Sequence, residues 1–94
     1  MNAPAHEPVA SGPHQVVDVD GSPPTDLDDF VGEHRFAVER GGRRQQISGR
    51  GVLRGDGVRF HQKDPADGGG KDIRVWRIEA ISGGGFVAVP EAAA

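Results

Sequence analysis

Large apolar side chains are sparse in the first quarter of the chain and gather from Phe30 onward. From His34 they alternate with polar residues at the spacing of two that lines one face of a β-strand. Gly41-Gly42 breaks the alternation and predicts a two-residue hairpin turn, because glycine accepts the positive φ that the favoured turns need. With that turn fixed, the register follows: Arg40 faces Arg43, Glu39 faces Arg44, Val38 faces Gln45 and Phe36 faces Ile47. Phe36 and Ile47 then meet on one face, as a half-buried strand pair requires.

A second turn, Gly55-Asp56, sets Arg54 opposite Gly57, Leu53 opposite Val58, Val52 opposite Arg59, Gly51 opposite Phe60 and Arg50 opposite His61. The two turns assign the same parity to the strand they share. Ile47, Gly49, Gly51 and Leu53 point in, while Arg44, Gln46, Ser48, Arg50, Val52 and Arg54 point out. Phe36, Ile47, Leu53, Val58 and Phe60 are therefore expected in one core. The Phe60 ring should lie across Gly51, where no side chain stands in its way.

Asp72 to Ile81 reads as a strand with apolar residues on both faces, Trp76, Ile78 and Ala80 on one and Ile73, Val75 and Ile81 on the other. Such a strand is central, turns a barrel corner, or forms an interface. Ser82-Gly83-Gly84 turns the chain into a last strand from Gly85 to Val89, which Pro90 should end for want of an N–H. Asp64 to Lys71 reads as a polar, unordered loop. Thr25 is the expected N-cap of a helical turn over 26–31, ended by Gly32, whose Leu27, Phe30 and Val31 cover one end of the sheet. Residues 1–24 read as a disordered acidic tail, although Val16-Val17-Asp18-Val19 has the composition to add a strand at a sheet edge. The expected fold is all-β: a small antiparallel five-stranded meander or partly open barrel over residues 25–90, with 91–94 frayed.

Composition sharpens this picture. The 94 residues allow one domain, and fifteen glycines and seven prolines suit turns and short strands rather than long helices. A domain of about 60 ordered residues buries only about 60% of its unfolded surface. The two-faced strand is therefore expected to find a covering surface, another subunit, a second copy or the N-terminal segment, through Ile73, Val75, Trp76 and Ile78. The chain has no cysteine, which excludes a disulfide framework, a thiol nucleophile and a thiolate zinc site. Met1 to His6 lacks the basic residues and apolar run of a secretory signal, and no stretch is long enough to span a membrane, so a cytoplasmic protein is expected.

Charge is sharply segregated. Residues 1–33 carry seven acids and no Lys or Arg, whereas residues 34–63 carry eight Lys or Arg and two acids. The outward face of the first three predicted strands collects Arg35, Arg44, Arg50, Arg54, Arg59, His61 and Lys63. Forked guanidinium donors match phosphate, so this face is the expected contact for a polyanion such as nucleic acid, or for an acidic protein. The competing reading is an ordinary solvated surface, and no outward aromatic is placed there to stack on bases. An acidic tail would compete weakly for the same face.

Other chemistry finds little footing. Ser11, Ser22, Thr25, Ser48 and Ser82 have no neighbouring base, which argues against an enzyme. Asp18 to Asp29 imitates a calcium loop, but Pro23 stands where the loop needs glycine and Asp29 where it needs a bidentate Glu. His6, His14, His34 and His61 show no metal-ligand spacing, and Arg54-Gly55-Asp56 is read as a turn rather than an adhesion motif. No cofactor and no metal are expected.

Overall fold

The computed structural model describes residues 12–63 and 72–91. Six strands form one closed antiparallel barrel in sequential order: β1 (His14–Val19), β2 (Gly32–Arg40), β3 (Arg43–Arg54), β4 (Gly57–Lys63), β5 (Asp72–Ala80) and β6 (Phe86–Pro90). A single 3-10 turn, Leu27–Phe30, lies between β1 and β2. The expected loop over 64–71 and the frayed residues 92–94 lie outside the described residues, as do the first eleven residues of the expected tail.

Both hairpins have the register read from their turns, from Phe36 opposite Ile47 to Leu53 opposite Val58. The strand count does not match: there are six strands and the barrel is closed. The additional strand is β1, which lies within the stretch whose composition reads as an acidic tail. It pairs with β2 on one side and with β6 on the other. Val17 is a bulge, since Val16 faces Val38 while Asp18 faces Ala37. The bulge turns both Val16 and Val19 inward although they are three residues apart, so β1 carries no simple alternation. Closure satisfies two sheet edges at once, and that gain decides the matter for a strand with weak local signal.

Inward side chains stack in layers along the barrel. Phe30, Phe36, Phe60, Ile47, Ile78, Val38 and Val58 have less than 2% of their surface exposed. Edge-to-face contacts run from Phe86 to Phe30, Phe30 to Phe36 and Phe36 to Phe60, with centroids 5.4, 5.7 and 4.8 Å apart. The 3-10 turn plugs one end of the barrel through Phe30, with Leu27 packed beside it. Its N-cap is Asp26, not Thr25. Asp28 N–H donates to the Asp26 carboxylate at 2.7 Å, and the Asp29 carboxylate accepts from the N–H of Thr25 and of Asp26.

Three packing expectations need correction. Leu53 is not in the core but 53% exposed, because its inward position lies beyond the plugged end. Gly51 does not make room for Phe60: a Cβ there would stand 1.9 Å from the Phe30 carbonyl oxygen, so the glycine admits the backbone of the plug. Pro90 closes β6 opposite Trp76, and pairing continues one residue further, where Glu91 N–H donates to the Val75 carbonyl at 2.9 Å.

Candidate functional site

The barrel exterior over β3, β4 and β5 gathers arginines. Arg50, Val52 and Arg54 are successive outward positions of β3. Val52 faces Arg59 of β4, and Arg59 faces Arg77 of β5. Arg50 and Arg54 are thus the diagonal neighbours of Arg59, within reach of long side chains. Arg59 is held by Glu91 at 3.2 Å and Arg77 by Glu79 at 2.9 Å. Among the described residues, no carboxylate pairs with Arg50 or Arg54.

The seven basic residues expected on one face do not all converge. Closing the sheet wraps it around an axis, and curvature separates residues that a flat meander would align. Arg44 lies on the other flank, where its guanidinium reaches Asp18 of β1 at 2.6 Å. Arg35 shares that flank, opposite Ser48. His61 and Lys63 both bind the Asp72 carboxylate, which offsets their charge. Arg50, Arg54 and Arg59 remain together, and Arg77 joins them. The sequence reading missed Arg77 because the polar loop after β4 hides the β4–β5 register. Within the described part of the acidic N-terminal stretch, Asp18 of β1 meets Arg44 and Asp20 meets His34.

The expected interface residues divide by parity. Trp76 and Ile78 are fully buried inside the barrel, so no partner can dock on them. Ile73 and Val75 face outward, and Ile73 is 46% exposed. The partner that covers the Trp76 face is the rest of the barrel, because closure supplies the burial that a thin open sheet lacks.

The end opposite the plug is polar. Trp76 donates its indole N–H to the Gln62 side chain at 2.8 Å and meets the His14 ring edge-to-face at 5.2 Å. His14 is 5% exposed, and its Nδ1 lies 3.0 Å from the Gly12 carbonyl. The remaining inward positions at this end are Arg40 on β2, paired with Arg43 on β3, Gln45 on β3, paired with Val38, and Arg74 on β5, paired with Gln62. Arg40 lies over the start of β1 and donates to the Pro13 carbonyl at 3.2 Å. A Cβ at residue 12 would stand 2.5 Å from its Nη1, so Gly12 leaves the space that the guanidinium takes.

Titration follows from these surroundings. Burial lowers the His14 pKa, and the charge of Arg40 lowers it further against the bond to Gly12. A depressed folded pKa means that neutral His14 contributes stability above about pH 6.5, and that this is lost as pH falls below it. Asp20, Asp29 and Asp72 also titrate low, through the His34 hydrogen bond, the Thr25 backbone N–H and the Lys63 ammonium respectively. Their contribution is present above about pH 4 and lost below it. Denaturant midpoints measured from pH 8 to 3 should therefore fall further for the native chain than for His14→Gln between pH 6.5 and 5. Parallel curves for the two chains would rule out this role for His14.

Among the described residues, no three His, Asp or Glu side chains group as metal ligands, and no helix is long and apolar enough to cross a membrane. No known protein family, curated protein or solved structure matches the chain. The site must therefore be interpreted from its own chemistry.

Proposed function

We propose that this chain is a non-enzymatic binding module that holds the phosphate backbone of a nucleic acid on the outer face of β3 to β5. The supporting observation is the adjacency of Arg50, Arg54, Arg59 and Arg77, with Arg50 and Arg54 lacking a carboxylate partner among the described residues. Phosphate contact through guanidinium forks is tolerant of sequence and strongly salt-dependent. Without an outward aromatic, the face has nothing to stack on bases, so it suits the backbone and not base reading.

The test is the binding of a short DNA duplex across a salt series. The expected logarithmic slope is about −3, and Arg50→Gln with Arg54→Gln should shrink it by about 2. Absence of salt-dependent binding at low ionic strength would defeat the proposal. A second reading, assembly with a copy of itself or another subunit, is favoured by exposed Ile73 on β5 and by Val52 and Leu53 at the plugged end. Concentration-dependent mass without DNA binding would favour that reading over the first.

A further inference from the structure

Arg59 leaves β4 between Val52 of β3 and Arg77 of β5. Its carboxylate partner lies two strands away, beyond β5. Glu91 follows β6 directly, and its N–H donates to the Val75 carbonyl of β5 at 2.9 Å. Neighbouring strands lie about 5 Å apart, so Arg59 and Glu91 bridge about 10 Å of sheet, which takes two long side chains lying over β5. Arg59 Nη2 stands 3.2 Å from Glu91 Oε2. Val75, on that path, is half-buried, whereas Ile73 on the same face of β5 is 46% exposed. The pair therefore draws the Arg59 fork toward β6, away from Arg50 and Arg54 on β3.

Glu79 relates to Arg77 differently. The two are outward neighbours on one strand, with Arg77 Nε 2.9 Å from Glu79 Oε2, so their pairing leaves Arg77 on β5. The Arg59–Glu91 pair joins separate strands, with 42% and 29% of the two side chains exposed. A carboxylate presents to a guanidinium the same acceptors that a phosphate does, so Glu91 occupies the fork a phosphate would take. An ion pair this exposed is weak and screened by salt, so it competes for Arg59 without locking it.

We propose that Glu91 withholds Arg59 from a nucleic-acid backbone, as a carboxylate built into the barrel that stands in for phosphate. This rests on the phosphate-binding reading above and adds a regulating residue to it. Arg50, Arg54 and Arg77 carry the contacts of the native chain, and removing the Glu91 charge frees Arg59 to add one more.

The test measures binding of a short DNA duplex by full-length chains from about 50 to about 200 mM salt. Glu91→Gln keeps the backbone N–H that pairs with Val75 and removes the charge. It should bind more tightly than the native chain and steepen the logarithmic slope by about 1, so that its advantage falls about threefold across that range. Glu39→Gln makes the same change in net charge on β2 and should leave the slope as it is. In an Arg59→Gln chain, Glu91→Gln should no longer steepen the slope. Native binding with a slope that Glu91→Gln leaves unchanged, or steepens equally without Arg59, would overturn this inference and leave the phosphate reading standing. Absence of binding by every chain at low salt would defeat both.

Discussion

Deleting residues 1–24 should abolish the native fold, although the composition of that stretch invites its removal as a tail. The deletion takes β1, and with it the inward residues His14, Val16 and Val19. It also strips the partners from β2 and β6, which would then present two open sheet edges in one small domain. Losing two buried valines costs about 3–6 kcal/mol in burial alone, and a domain of this size has little stability in reserve. Trp76 is the only tryptophan and is fully buried, so its fluorescence reports the outcome. The truncated chain should show a red-shifted emission, no cooperative unfolding and aggregation on a sizing column. Deletion of residues 1–11 leaves β1 whole and should retain the native spectrum. A folded monomer lacking residues 1–24 would show that the barrel does not need its first strand.

The second large effect is expected at Gly51. An alanine there places its Cβ 1.9 Å from the Phe30 oxygen and 2.9 Å from the Phe30 carbonyl carbon. Both are backbone atoms, which cannot swing aside as the end of a side chain can. Either β3 or the 3-10 turn must move, and the turn is the smaller element. Its displacement unseats Phe30, the ring that joins Phe36 to Phe86. Truncating a buried phenylalanine costs about 3–5 kcal/mol, and Gly51→Ala should approach that range. A double-mutant cycle tests the mechanism. If the alanine acts by expelling the plug, Phe30→Ala should cost far less in the Gly51→Ala background than in the native chain. Additive losses in denaturant midpoint would place the damage in β3 itself.

Local sequence determined much of this protein. The two glycine turns set the register of β2, β3 and β4, because a tight turn leaves the flanking residues no choice of partner. That register placed Phe36, Ile47, Val58 and Phe60 inside and Arg50, Arg54 and Arg59 outside. The aromatic and aliphatic alternation of β5 likewise separated Trp76 and Ile78 from Ile73 and Val75, although not which set would be buried. Only the tertiary structure decided the rest. β1 is a strand because β2 and β6 each offer it a free edge, and its bulge hides the alternation that would have revealed it. Burial of Trp76 follows from closure, since the far wall of a barrel covers what a single sheet leaves open. Curvature then split the basic face, sending Arg44 to Asp18 and bringing Arg77 beside Arg59. Turns act over a few residues and can be read locally, whereas closure joins positions more than seventy residues apart, such as His14 and Ala88, whose pairing no local pattern encodes.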